Sequence, residues 1–174
     1  TDTVMNLAKG VDPRPVITER RAKSVSNETT FSQDLSDLNA LEVELEALCL
    51  KLSARLKAKG VAGGTINLKL KRANHRTITR SRSVSSRIDK AYHLFEIGRD
   101  LLKKEIKDTN FYRLLGIGVN NIGKASEARL FDLLGGEDDK RNRLELAVDD
   151  LHSKMGKEVL YTGRQFTKNL RQKK

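Results

Sequence analysis

The stretch that decides the fold is GGTINLKLKRANHRTITRSRSVSS, residues 63–86. In its first half, apolar Ile66, Leu68 and Leu70 alternate with polar or charged residues. A period of two is typical of a strand with one face on a core and the other toward water or a ligand. A turn near residues 73–75, followed by a second β-branched run, predicts an antiparallel hairpin.

In the second strand of this hairpin, the alternation of side chains puts charged residues on the side that should face the core. Thr77, Thr79, Ser81 and Ser83 share one parity, whereas Arg80 and Arg82 share the parity of Ile78, which should face the core. Either of two features would resolve the conflict. A bulge would change the parity, and an edge position would let the arginines curl round to solvent.

The elements around the hairpin complete an α+β fold. The spacing of leucines predicts a helix from Asp34 to Lys59, with Asp34 or Asp37 as its cap. A strand is predicted at 23–32, a second helix at 89–107 and a last strand at 111–122. The order β-α-β-β-α-β predicts a four-stranded sheet with two helices packed on one face.

The two ends of the chain differ from this central domain, which we assign to residues 23–121. Residues 1–22 hold both prolines and are predicted to be a linker. Residues 122–174 are predicted to be a C-terminal extension with a helix at 140–155. That helix places Leu144, Ala147, Val148 and Leu151 on one side.

Composition narrows the classes of function. A formal net charge of +11 with a pI near 9.9 favours a polyanionic partner, although diffuse charge also serves solubility. The single cysteine, Cys49, excludes an internal disulfide and favours a reducing, cytoplasmic setting. No apolar run approaches the roughly 20 residues of a membrane helix, so no membrane partner is expected. The chain opens at Thr1 in a polar stretch, so we expect a piece of a longer protein.

The face of the sheet that the two helices leave bare is the candidate binding surface. From Thr65 to Arg87 the chain has seven basic residues and no acidic one. Hydroxyls and backbone amides can donate to phosphate oxygens while Lys and Arg supply the field, so a sugar-phosphate backbone fits this surface. A merely solvated strand edge is the alternative. Base-specific reading is disfavoured because the face lacks aromatic platforms.

Catalytic and metal-binding patterns are missing from the sequence. The three histidines, His75, His93 and His152, have no ligand spacing, and no nucleophile lies beside a candidate base. Cys49 falls beside the leucine stripe and is interpreted as a core residue. The chain is therefore expected to bind rather than to react, with no catalytic residue, no metal site, no cofactor and no small-molecule ligand of its own.

The motifs DPRPV, KSVSNETTF, INLKLKRANHRTITRSRS and RLLGIGV, in this order over about residues 11–121, resemble the C-terminal little-finger domain of Y-family DNA polymerases, most like the bacterial DNA polymerase IV group. The resemblance implies a domain that lies in the major groove of primer-template DNA and binds the sugar-phosphate backbones of both strands. It also implies a parent translesion polymerase that uses magnesium on palm-domain carboxylates outside this chain. The DNA-binding positions it implies are Ser24, Ser26, Lys69, Lys71, Thr79, Arg80, Arg82, Arg113 and Gly116.

One departure from the family pattern concerns Ser26, because the family often has glycine there, as in KSVG. The resemblance also suggests that EARLF, residues 127–131, is a peptide for the bacterial sliding clamp. Leu130 and Phe131 match the apolar anchors, whereas Glu127 stands where glutamine is usual. Packing of these apolar residues against the last helix is the competing interpretation, and both stay open.

Three hypotheses follow for the function. The first is a non-catalytic DNA-binding module of an error-prone polymerase, with clamp binding through residues 127–131. The second is a protein-interaction module that acts mainly through that peptide and the C-terminal helix. The third is a stand-alone RNA-binding α+β protein.

Overall fold

The computed structural model describes residues 2–12, 14–15, 22–107, 110–125 and 139–156, with positions 160, 163 and 166. A four-stranded sheet and two long helices confirm the predicted α+β fold. A short helix lies where the sequence predicted a linker. The elements are α1 (Asp2–Ala8), β1 (Ser24–Leu35), α2 (Leu38–Ala58), β2 (Val61–Arg72), β3 (Thr77–Ile88), α3 (Ala91–Glu105), β4 (Tyr112–Lys124) and α4 (Asp139–Met155).

The sheet has the order β1-β4-β2-β3, and every neighbouring pair is antiparallel. The last strand of the chain therefore lies in the middle of the sheet and separates the first strand from the hairpin. Helix α2 packs mainly on β1 and β4, and α3 packs on β2 and β3. Both helices cover the same face, which leaves the other face of the sheet without them.

The leucine stripe forms the core side of α2. Leu41, Leu45 and Leu52 are fully buried there. The helix begins at Leu38, and Asp37 is its N-cap because the Ala40 N–H donates to Asp37 Oδ2 at 2.8 Å. Of the two predicted caps, the second is therefore the one used, and this satisfies a backbone donor that the first helical turn leaves open.

The core side of the sheet follows the predicted alternation. Residues of β2 and β4 that share one parity are at most 1% exposed, namely Ile66, Leu68, Leu70, Leu115, Ile117 and Val119. They pack against α2 and α3, including Leu94 and Leu102 of α3. Burial of this apolar surface is the main stabilising contribution to the domain.

Helix α4 contacts the outer side of the helix layer through polar groups. Glu145 accepts hydrogen bonds from Lys57 Nζ at 2.6 Å, from the Ala91 N–H at 3.0 Å and from Ser53 Oγ at 3.3 Å. Leu144 is 65% exposed and Leu151 is 38% exposed. The apolar side predicted for this helix therefore points largely to solvent, and Glu145, which is partly buried, anchors the helix instead.

Candidate nucleic-acid interface

The face opposite α2 and α3 carries sixteen residues that pair across the four strands, and we call this surface the open face. Most of its side chains are short hydroxyls or amides, with two lysines among them. Its cross-strand rows, written in the order β1, β4, β2, β3, are Ser24–Asn120–Thr65–Ser83, Ser26–Gly118–Asn67–Ser81, Glu28–Gly116–Lys69–Thr79 and Thr30–Leu114–Lys71–Thr77.

Two glycines of β4 form the centre of the open face. A Cβ at Gly118 would stand 2.7 Å from Ser26 Cβ, and a Cβ at Gly116 would stand 3.0 Å from Glu28 Cβ. Side chains from the flanking strands therefore close in on these positions, and no side chain of β4 rises between them. Both glycines are buried, so a ligand at the centre of the open face meets the side chains of β1 and β2 rather than the main chain of β4.

Lys69 lies on the open face and pairs across Gly116 with Glu28 of β1. Lys69 Nζ and Glu28 Oε2 are 2.9 Å apart, and the two side chains are 43% and 52% exposed. The sequence put Glu28 on the parity of Ser24 and Ser26 but gave no sign of this ion pair. The contact depends on β4 lying between β1 and β2, because that order sets both residues beside the same glycine.

Lys71, one row further along, makes no ion pair with any side chain that the structure describes. Thr79 neighbours Lys69 on β3 and is exposed, as are Ser24 and Ser26 on β1. The structure therefore brings Ser24, Ser26, Lys69, Lys71, Thr79 and Gly116 together on one surface, as the sequence predicted.

Arg80 and Arg82 lie on the other side of β3. They pair in register with Leu68 and Ile66, so they face the helix layer. The register runs without a bulge from Thr65↔Ser83 to Lys71↔Thr77, so the edge position of β3 resolves the conflict of parity. Both guanidinium groups reach solvent at this edge.

Each of these two arginines is held by a carboxylate of α3. Arg80 Nε lies 2.6 Å from Glu105 Oε1, and Arg82 Nη1 lies 3.1 Å from Asp100 Oδ2. The two side chains remain about half exposed, at 51% and 52%. They therefore flank the open face rather than belong to it, and the prediction that they contact DNA stays a prediction.

Arg113 lies at a β-bulge at the start of β4. Lys71 pairs with Leu114 and Arg72 pairs with Tyr112, so Arg113 is the extra residue of β4. Its Nε is 3.5 Å from Asp34 Oδ1, and its side chain is 45% exposed. The bulge also turns Tyr112 into the core, where it is fully buried. Its hydroxyl donates to the Glu105 carbonyl at 3.0 Å.

The described ranges show neither a metal site nor a reactive thiol. They contain no group of three or more His, Cys, Asp or Glu side chains that could hold a metal ion. Cys49 is 1% exposed, and burial raises the pKa of its thiol. No helix described here is long and apolar enough to cross a membrane. The predicted clamp-binding residues Glu127, Leu130 and Phe131 lie outside the described residues.

Comparisons with known proteins identify relatives of this chain. The model of the impB/mucB/samB family C-terminal domain matches residues 22–133. The chain is 41% identical over 165 residues to DNA polymerase IV 1 of Mesorhizobium japonicum, covering 95% of this chain and 37% of that protein. It is 42% identical over 162 residues to DNA polymerase IV of Brucella melitensis, covering 93% of this chain and 36% of that one.

Among solved structures, the Y-family DNA polymerase chimera Dbh-Dpo4(243-245)-Dbh has a similar fold. The TM-score is 0.55 at 18% sequence identity, and the match covers 68% of this chain and 34% of the chimera. The chain thus spans little more than a third of the length of these proteins.

Proposed function

Because this chain belongs to the impB/mucB/samB family of C-terminal domains, the little fingers of Y-family DNA polymerases, we propose that its open face binds the backbones of primer-template DNA. Binding is independent of base sequence. The observation that carries the proposal is the juxtaposition of Lys69 and Lys71 with exposed hydroxyls around the two glycines of β4.

The chemistry of the open face suits phosphate better than bases. Hydroxyls of Ser24, Ser26 and Thr79 can donate to phosphate oxygens, and the two lysines add positive charge. No residue of the sixteen is aromatic, so stacking on bases has no platform on this surface. Affinity should therefore come from phosphate contacts and counterion release.

The edges of the open face extend the proposed contact surface. Arg80 and Arg82 flank it along β3, and Arg113 flanks it at the bulge of β4. All three guanidinium groups are about half exposed and can rotate toward a duplex wider than the sheet. Since each is already paired with a carboxylate, we expect each to contribute less to DNA affinity than Lys71, which has no ion-pair partner among the described side chains.

We further propose that the chain acts as part of a longer translesion DNA polymerase. In that protein, magnesium and the catalytic carboxylates belong to a palm domain, and no described residue of this chain is proposed as a ligand. Residues 127–131 are proposed to bind the bacterial sliding clamp, since Leu130 and Phe131 offer two adjacent apolar anchors in a polar segment.

The experiment that tests DNA binding is a titration of fluorescently labelled primer-template DNA with the full chain over a range of salt concentrations. Lys69→Met and Lys71→Met remove one open-face charge each, and Lys103→Met on α3 is a control with the same charge change in the helix layer. We expect each open-face variant to weaken binding for all DNA sequences. Each should also reduce the salt slope by about 0.9, the contribution of one phosphate contact.

Three results would contradict the proposal. The first is a flat salt response of the wild-type chain, and the second is equal loss with Lys103→Met. The third is preference for structured RNA over DNA, which would favour the RNA-binding hypothesis.

For the clamp, Phe131→Ala should abolish binding of the sliding clamp while leaving DNA affinity unchanged. Unchanged clamp binding would overturn that part of the proposal.

A further inference from the structure

We propose that Glu28 is an internal competitor for phosphate: its carboxylate holds Lys69 in the free domain and has to be displaced when DNA binds. The inference rests on the proposed DNA-binding function and adds a residue that restrains it. None of the positions predicted from the sequence to contact DNA is acidic, so this role is additional to that set.

The position of Glu28 singles it out. Among the sixteen residues of the open face it is the one acidic side chain. The carboxylates that hold Arg80 and Arg82 come from α3 and lie in the helix layer, away from this surface. Asp34, which pairs with Arg113 at the bulge of β4, lies outside these sixteen residues. Glu28 therefore places a negative charge within the open face itself, where the phosphates are proposed to lie.

The geometry sets the carboxylate of Glu28 in competition with a phosphate for Lys69. Glu28 Oε2 lies 2.9 Å from Lys69 Nζ, which is the distance of a charge-assisted hydrogen bond. Gly116 lies between the two residues in the sheet and has no side chain, so Glu28 and Lys69 meet above it at the centre of the open face. A phosphate that reaches Lys69 there meets a carboxylate of like charge, and the two repel each other.

The exposure of the pair favours exchange rather than a permanent bond. Both side chains are roughly half exposed, and ion pairs of this kind contribute little to stability. Because the ion pair is weak, a phosphate group can replace Glu28 as the partner of Lys69. Glu28 therefore lowers the affinity of the open face without closing it, which suits a domain that has to release and rebind DNA as a polymerase advances.

The test is the change Glu28→Gln, which keeps the size of the side chain and removes its charge. We expect the variant to bind primer-template DNA about two- to fivefold more tightly at low salt, the range set by exposed ion pairs. The salt slope should change by less than about 0.9, because Lys69 already contacts a phosphate in the wild-type complex and the variant adds no new contact. Glu96→Gln on α3 is the control, because Glu96 is an exposed glutamate of the helix layer and its replacement gives the same change in net charge.

A double-mutant cycle separates competition at Lys69 from general repulsion. In a Lys69→Met background, the gain from Glu28→Gln should fall to that of the Glu96→Gln control. A gain that persists in full shows that the carboxylate acts at a distance, and this overturns the inference. Weaker binding by Glu28→Gln also overturns it, since Glu28 would then be positioning Lys69 for DNA.

The outcomes distinguish this inference from the function on which it rests. If Lys69→Met and Lys71→Met weaken binding while Glu28→Gln matches its control, the DNA-binding function stands and the competitor role is wrong. If neither lysine variant changes binding, the proposed function itself fails. Unfolding of each variant in urea confirms that the compared proteins are equally folded.

Discussion

Arg80 of β3 and Glu105 of α3 form an ion pair that ties the edge of the sheet to the helix layer, with 2.6 Å between Nε and Oε1. Glu105 is only 17% exposed, and its carbonyl also accepts the hydroxyl of Tyr112. The end of α3 is thus joined to an edge strand and to the central strand. The ion pair is possible because the register of β3 puts Arg80 opposite Leu68, on the side of the helix layer.

The first prediction concerns these edge arginines. Arg80→Gln and Arg82→Gln should each weaken DNA binding less than Lys71→Met does, because each guanidinium has to leave a carboxylate of α3 before it can reach a phosphate. Equilibrium titrations with the same primer-template DNA measure the difference. A loss as large as that of Lys71→Met would place the DNA across the β3 edge instead of over the open face.

The second prediction concerns the glycines of β4. Gly118→Ala puts a Cβ 2.7 Å from Ser26 Cβ, so β1 has to move away from β4. We expect a loss of about 1–3 kcal/mol in the free energy of unfolding, as for other overpacked sites. Gly116→Ala, with 3.0 Å to Glu28 Cβ, should lose less. Urea unfolding of both variants checks this order, and an equal loss would contradict it.

The third prediction is a pH dependence at Lys57. Burial lowers the pKa of this side chain, but the hydrogen bonds that Lys57 Nζ donates to the carboxylates of Asp149 and Glu145 outweigh burial and raise the pKa above its usual 10.5. A pKa that is higher in the folded chain stabilises the fold at pH values below 10.5, and the stabilisation is lost as the pH rises through the folded value.

The measurement is the difference in the free energy of unfolding between wild type and Lys57→Met as a function of pH. We expect this difference to be constant at neutral and mildly alkaline pH and to shrink above about 10.5. Lys103→Met, at an exposed lysine of α3, serves as the control for the general effect of removing one lysine charge. A difference that shrinks already near neutral pH would be inconsistent with the ion pairs to α4.

The fourth prediction concerns the thiol of Cys49. It is 1% exposed, and burial raises its pKa, so both access and thiolate formation are suppressed in the folded domain. We expect a thiol-specific reagent to modify the native chain far more slowly than the chain in urea, with a rate that follows the unfolded fraction. Rapid modification of the native chain would show that the core around α2 opens easily.

The regular spacing of apolar side chains made most of the fold predictable. Leucines at helical spacing identified α2, and alternation of Ile66, Leu68 and Leu70 gave the buried side of β2 correctly. Boundaries were less accurate where a distant strand decides them. Helix α2 was predicted from Asp34, but it begins at Leu38 because β1 continues to Leu35, which pairs with Tyr112.

The candidate site was predictable only in part, because its ion pairs join residues far apart in sequence. Alternation alone put Lys69 and Thr79 on one face. It could not show that Glu28 reaches Lys69, since that contact requires the sheet order. A signal for the central place of β4 does exist in its sequence, where apolar residues on one parity alternate with Gly116 and Gly118 on the other.

Helix α4 shows a second limit of pattern reasoning. Leu144 and Leu151 mark an apolar side, which ordinarily packs on a core. The structure instead anchors the helix through Glu145, whose carboxylate meets Ser53, Lys57 and the backbone of Ala91. The sequence of α4 does not indicate that Glu145 has these partners, because Ser53 and Lys57 lie on α2 and Ala91 lies on α3.

The central place of β4 has a consequence for synthesis on the ribosome. Strand β1 is made first, yet its hydrogen-bonding partner Tyr112–Lys124 is made last among the four strands. Until then, β1 has no neighbour and β2 has one unpaired edge, so the nascent chain cannot complete any part of the sheet beyond the hairpin. Translation that stops short of Tyr112 therefore yields a chain with open strand edges and an uncovered apolar surface, the combination that aggregates most readily.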